Sequence, residues 1–175
     1  MLYMVEMDFA TPGREADWNA WYGRHIDMLL SIPGITGAQR FRAEGKVRAP
    51  YLAIYEVDGP QVFETDAYRA KAGRSSTGEW KPLMFDWDRN VFDGMARLPD
   101  VPSGSALLLV DRRAETDPPM SPDLTVLRSV GLDRTVIERG MRVLDLAGAQ
   151  AAAASRPAAS RVFVPMMRPQ HEPRT

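Results

Sequence analysis

The sequence predicts an α+β fold: a ferredoxin-like βαββαβ unit followed by a shortened second copy of it. Three observations carry that expectation. The first hundred residues alternate period-two stretches with helical ones in the order β-α-β-β-α-β. A second series of strand-like runs begins at Ser105. The stretch Ser31-Ile32-Pro33-Gly34-Ile35 is loosely echoed by Ser129-Val130-Gly131-Leu132, which marks the second half as a repeat of the first.

In the first strand, Met1 to Phe9, Tyr3, Val5, Met7 and Phe9 share one face and Leu2, Met4, Glu6 and Asp8 the other. Apolar residues on both faces near its start predict a central strand. Thr11-Pro12-Gly13 turns the chain, and Glu15 and Asp17 then place negative charge in the first turn of a helix, where the macrodipole favours it. That helix runs to about Ser31 and is stopped by Pro33-Gly34. At ~100° per residue, Trp18, Trp21, Tyr22, His25, Met28, Leu29 and Ile32 fall in one stripe roughly 120° wide, with His25 at its middle.

A second strand spans Ile35 to Arg42, with Arg40 and Arg42 on one face, and Lys46 to Ala49 form a basic loop. The third strand alternates Tyr51, Ala53, Tyr55 and Val57 against Leu52, Ile54 and Glu56, and ends at the turn Asp58-Gly59-Pro60. Gln61 to Ala72 reads as a second helix that buries Val62, Phe63, Ala67 and Tyr68. The small, polar segment Gly73 to Gly78 reads as a mobile loop, followed by the aromatic cluster Trp80 to Trp87 and a fourth strand from Asn90 to Leu98. These elements make residues 1–100 the first unit.

Residues 104–168 supply the second, as strand Ser105 to Arg112, short helix Ser121 to Gly131, long strand Thr135 to Leu146 bulged at Gly140, alanine-rich loop Gly148 to Ala159 with at most a turn or two of helix, and strand Arg161 to Arg168. Residues 169–175 read as a frayed tail. A βαββαβ unit leaves one sheet face bare, so the two copies are expected to pair sheet on sheet as an intrachain pseudo-dimer.

Composition narrows the function classes. The 175 residues carry a formal net charge of −1, which offers no electrostatic footprint for nucleic acid. No apolar run approaches the ~18 residues of a membrane span, and the N-terminus lacks the pattern of a secretory signal. A cytoplasmic protein with no membrane partner is expected. Cysteine is absent, which excludes disulfides, thiolate nucleophiles and Cys-ligated metals. The two histidines are His25 and His171, too few and too far apart for a multi-histidine metal site. No phosphate-binding glycine loop, nucleophile elbow or metal-ligand helix pair occurs.

His25 is the leading catalytic candidate, because a neutral imidazole on an aromatic helix face can exchange protons at physiological pH. Tyr3, Tyr51 and Tyr55 share one face of the expected sheet, and their hydroxyls need partners when buried. Arg40 either pairs with Asp86 or Asp88 or holds a carboxylate or enolate oxygen, for which its guanidinium fork is suited. Trp80 and its neighbours either cap the core or form a lid over a pocket.

The run from Trp18 to Arg42, W-N-A-W-Y-G-R-H-I-D-M-L-L-S-I-P-G-I-T-G-A-Q-R-F-R, followed by P-Y-L-A-I-Y-E-V, resembles the EthD-like branch of the dimeric α+β barrel superfamily. The resemblance covers about Met1 to Leu98. It implies a pocket between sheet and helices where small aromatic or polyketide-like compounds are handled without metal or prosthetic group, as in muconolactone isomerases and cofactor-free polyketide cyclases. Aligned on the proline that ends the first helix, His25 falls where such a cyclase has a catalytic tyrosine, and Tyr22 falls on a pocket-lining phenylalanine. Tyr3 and Tyr51 match histidines of that cavity, and Ala53 and Tyr55 match its valines. The cyclase's catalytic histidine after the second helix has no counterpart here, so its chemistry does not transfer as it stands.

The expected function is a cofactor-independent isomerase, lyase or cyclase of aromatic-compound catabolism, with His25 and Tyr55 catalytic and Tyr3, Tyr22, Arg40, Tyr51, Ala53 and Trp80 binding substrate. Two other classes stay open: a non-catalytic ligand-binding accessory protein, and haem or oxygen chemistry with His25 as axial ligand. Either a monomer or a homodimer is compatible with the sequence.

Overall fold

A computed structural model describes residues 1–72, 76–156 and 158–171. In chain order its elements are β1 (Leu2–Phe9), α1 (Glu15–Leu30), β2 (Ile35–Ala43), β3 (Tyr51–Val57), α2 (Asp66–Ala72), β4 (Met84–Asp93), β5 (Ser105–Arg112), β6 (Thr125–Leu132), β7 (Glu138–Asp145), α3 (Leu146–Ala154), β8 (Ser160–Pro165) and the short β9 (Gln170–His171). Short 3-10 turns at Pro12–Arg14, Pro60–Glu64 and Gly78–Leu83 lead into α1, α2 and β4.

The strands pair antiparallel in the order β3-β1-β4-β6-β7-β5-β8-β2, and β2 pairs back onto β3, so eight strands close into one barrel. This overturns the expected ferredoxin-like pseudo-dimer of two facing sheets, and with it the dimeric α+β barrel class that the resemblance implied. The molecule is a closed antiparallel β-barrel with a few helices. Edge satisfaction is the physical reason. An open sheet from the first segment would leave the outer N–H and C=O groups of β2 and β4 unpaired. Pairing β4 with β6 (Asn90↔Leu132, Val91↔Gly131, Phe92↔Ser129) and β2 with β8 (Phe41↔Pro165, Ala43↔Phe163) leaves no such edge.

Several local expectations change with it. Ser121 to Gly131 holds most of strand β6 rather than a helix, so Ser129-Val130-Gly131-Leu132 lies within a strand and not at a helix end. In the alanine-rich segment the turn or two of helix is α3, which begins earlier, at Leu146, and is capped by Asp145, whose side chain accepts a hydrogen bond from the Gly148 amide at 2.7 Å. No register shift occurs at Gly140, where β7 pairs evenly with β5. The fourth strand starts at Met84 and ends at Asp93. In the expected frayed tail, β9 pairs with Gly37 and Ala38 of β2. Of the loop expected to be mobile, residues 73–75 lie outside the described residues, as do 172–175 of the tail.

Period-two alternation sorts the side chains into layers. Leu2 and Met4 of β1, Leu52 and Ile54 of β3, Phe41, Phe92 and Phe163 fill the barrel. Tyr3, Val5, Met7 and Phe9, with Ala53 and Tyr55, face outward and are covered by Trp18, Tyr22 and Leu29 of α1. On the opposite side α3 covers Ala106, Leu108 and Val162.

Charges are also built into the barrel. Arg139 is fully buried between Glu6 at 2.6 Å and Asp111 at 2.7 Å, and Arg161 bonds the same two carboxylates. Glu56 accepts a hydrogen bond from the Leu98 amide at 2.8 Å, and lies within salt-bridge reach of Arg97.

Candidate active site

Helix α1 lies on the outward face of β1, β2 and β3 through Trp18, Tyr22, Ile26, Leu29 and Leu30. The buried face is therefore rotated from the expected stripe toward Ile26, which is fully buried. Trp21, His25 and Met28 sit at its margin, half-buried, and His25 is at the rim of the packed face rather than its middle. Its ring stacks on Trp21, with centroids 4.9 Å apart, and meets Tyr22 edge-on at 5.7 Å.

Beside this rim lies a cavity of about 590 Å³. Of the residues expected to form the site, Tyr3, Tyr22, His25 and Tyr55 line it together. Arg40, Tyr51, Ala53 and Trp80 do not. Arg40 lies behind Tyr22, its guanidinium carbon 3.9 Å from that ring's centroid and 5.0 Å from the Trp18 ring. Tyr51 stands edge-on to Trp18 at 4.6 Å, and Ala53 is buried in the packed layer. Trp80 packs near Phe9 and Trp21 with Arg14 stacked 4.4 Å from its centroid, so it caps the core. The expected pairing of Arg40 with Asp86 or Asp88 is not formed, because Arg48 takes both carboxylates.

The wall also holds Lys81 and Trp87, from the Trp80 to Trp87 cluster expected to cap the core or cover a pocket, and residues that the sequence did not single out for the site: Tyr68 from α2, Arg89 from β4, and Asp133. Arg89 and Asp133 form an ion pair at 3.2 Å across the β4–β6 seam, tied further by the Arg89 amide donating to Asp133 at 3.0 Å. Nothing in the spacing of these residues signals the pair, since it exists only because β6 adds to β4. Tyr68 was legible as an apolar-face residue of the second helix, though not as a cavity wall.

Burial sets the protonation states. It pushes His25 down to about 4, and the nearby Arg40 charge acts in the same direction. The imidazole is therefore neutral at pH 7. Burial raises the phenols of Tyr3 and Tyr55 well above their ordinary value, and that of Tyr22 less so because Arg40 opposes it. All three are neutral hydroxyls that can donate hydrogen bonds. Burial also lowers Arg40, whose tyrosine neighbours only partly offset the loss of water. Burial opposes the charge of Arg89, but its bond to Asp133 together with the Asp133 charge and the nearby Tyr3 and Tyr68 phenols outweighs it and holds Arg89 above its ordinary value.

Two buried donors stand out, one in the cavity wall and one behind it. The Tyr55 hydroxyl and Arg40 Nη2 are buried without an acceptor in good hydrogen-bonding geometry, the Tyr22 hydroxyl lying near enough to Tyr55 to influence both phenols. Such groups cost free energy unless an acceptor arrives. The arrangement thus combines a neutral base, neutral phenolic donors and a buried positive charge, next to aromatic walls. No group of three or more metal-binding side chains occurs among the described residues, and no helix there is long and apolar enough to cross a membrane. Compared with family models, curated proteins and solved structures, the chain matches none.

Proposed function

We propose that this protein is a cofactor-independent enzyme that moves a proton on a small aromatic or polyketide-like hydrophobic substrate, as an isomerase, lyase or cyclase. The observation that carries the proposal is the Tyr55 hydroxyl, buried without a well-placed acceptor, facing the same cavity as a neutral His25, with the Arg40 charge behind it. A cavity of about 590 Å³ lies within the ~300–1,000 Å³ of small-molecule sites. The aromatic walls, Tyr3, Trp21, Tyr22 and Tyr55, support a flat, largely apolar substrate.

In this reading His25 takes a proton from a carbon next to a carbonyl, and the electron pair moves onto the carbonyl oxygen as an enolate. The Tyr55 hydroxyl donates to that oxygen, and Arg40 stabilises its charge through the Tyr22 ring and the low-dielectric wall. The imidazolium then returns the proton to another carbon, which completes an isomerisation, or the enolate carbon attacks a second carbonyl of the same substrate, closing a ring as the imidazolium protonates the new alkoxide. An imidazole lowered to about 4 is a weak base in the empty site. The developing enolate raises its basicity during the step, because an anion beside it favours the charged ring.

Carbon-bound proton exchange tests this without knowledge of the final product. With benzoylacetone and related phenyl 1,3-diketones in D₂O, exchange followed by proton NMR is expected to exceed the buffer rate, and His25→Gln to lower it at least a hundredfold. Exchange at the buffer rate for the whole panel, or equal rates in His25→Gln, overturns the proposal. Tight binding without exchange would assign the cavity to a carrier instead.

A further inference from the structure

A second cavity, of about 620 Å³, opens at the barrel end where β5 finishes and β8 begins. It shares no lining residue with the aromatic cavity, and its chemistry is different. One wall is apolar, from Val110, Ala114, Pro118, Met120 and Ala159, and the rim carries Arg48, Arg113, Arg156 and Arg161 with two aspartates.

The charges here are unevenly spent. Asp111 is shared by three arginines: Arg139 at 2.7 Å, Arg161 at 2.6 Å and Arg113 at 3.1 Å. Glu6 balances one of them from inside the barrel, bonded to Arg139 and Arg161, and the Asp117 carboxylate in the cavity lining offsets a third. Asp117 is occupied with the amides of Arg113 and Ala114, at 2.7 and 2.8 Å. Arg48 is taken by Asp86 and Asp88. Arg156 has no carboxylate partner among the described residues and donates only to the Pro119 carbonyl, at 3.3 Å. Arg161 is held in place by two carboxylates, so its guanidinium is preorganised toward the opening.

We propose that this cavity is a binding site for a small amphipathic carboxylate, its apolar body against Val110, Met120 and Ala159 and its anionic end on Arg156, at the rim that Arg113 shares. A guanidinium fork with no committed carboxylate is the group that recognises such an end, and an alanine- and methionine-lined wall accepts a flat or flexible apolar body. The site is independent of proton transfer at His25 and stands whether or not that chemistry occurs.

Titration of the full chain with 2-naphthoate, followed by amide NMR, tests it. Saturable shifts are expected at Val110, Ala114, Ala158 and Ala159, with at least tenfold weaker binding for the neutral isostere 2-naphthalenemethanol. The Arg113→Gln/Arg156→Gln variant is expected to weaken naphthoate binding at least tenfold while leaving the α1 amides unshifted. Arg113 also bonds Asp111 and the Thr135 carbonyl, so Arg156→Gln alone carries the test should the double variant lose its fold. Shifts confined to α1 and β3, no saturation, equal binding of the alcohol, or equal binding by the folded variant each overturn the proposal.

Discussion

Replacing Arg139 by Met removes the cation at the centre of the barrel while keeping much of its apolar stem. Side chains of Arg139, Glu6 and Asp111 are 1%, 2% and 4% exposed, so water cannot take over the lost bonds. Arg161 then faces both carboxylates alone, aided at Asp111 by the half-exposed Arg113. Breaking a buried ion cluster by deleting one partner costs about 3–5 kcal/mol, because the opposite charge stays buried. For a chain of this length that corresponds to a fall in Tm of roughly 6–20 °C. The pH dependence is the sharper test. In the native protein burial tends to raise Glu6 and Asp111, but the Arg139 and Arg161 charges outweigh it and hold both below the usual carboxylate range. Their contribution to stability is thus fully present above the unfolded values of ~3.9 and ~4.3 and is lost as pH falls through the lowered native values. Without Arg139 the balance shifts toward burial, so ionising the pair costs stability. Urea unfolding followed by tryptophan fluorescence is therefore expected to show the largest deficit of the variant near pH 7, narrowing toward pH 4. A loss under about 1 kcal/mol, or one that is equal at both pH values, would refute the cluster as a stabilising unit.

Three further outcomes are expected. Arg40→Met removes a buried cation packed on the Tyr22 and Trp18 rings; lost cation–π attraction of ~1–2 kcal/mol is smaller than the desolvation cost it relieves, so Tm rises while affinity for enolisable ligands falls. His25, lowered to about 4 from an unfolded value near 6.5, makes the native protein gain stability as pH rises from 4 to 6.5, by at most about 3 kcal/mol; proton NMR is expected to show it still neutral at pH 5, and His25→Gln to flatten that part of the stability profile. Gly34→Ala, at φ +89° with the new Cβ 2.8 Å from Val62 Cγ2, is expected to destabilise by about 1–3 kcal/mol in thermal melts, as a left-handed backbone and a packed neighbour both oppose it.

Much of the local structure was legible in the residues. The alternation in β1 and β3 correctly separates Leu2, Met4, Leu52 and Ile54, which fill the barrel, from Tyr3, Val5, Ala53 and Tyr55, which lie under α1. Four of the eight residues expected at the site line one cavity. Misreadings arose where a weak local signal met a strong distant one. Thr125 to Leu132 carries apolar residues at spacings that suit a short helix, yet it bridges β4 and β7, and those pairings decide its conformation. Asp145 before the alanine run is an N-cap signal that would have marked α3.

What the sequence determined by itself is what depends on neighbours a few residues away: which side of a strand is apolar, where α1 starts and stops, and that His25 shares a helix face with aromatic rings. Tertiary structure alone decided that the sheet closes, that Arg89 meets Asp133, that Arg40 stacks on Tyr22, and that Glu6 shares its charge with Arg139 and Arg161. The division has one cause. A side chain's face follows from backbone periodicity over one or two turns, whereas strand partners are chosen by which unpaired N–H, C=O and charged groups remain across the whole chain, and no local pattern records that choice.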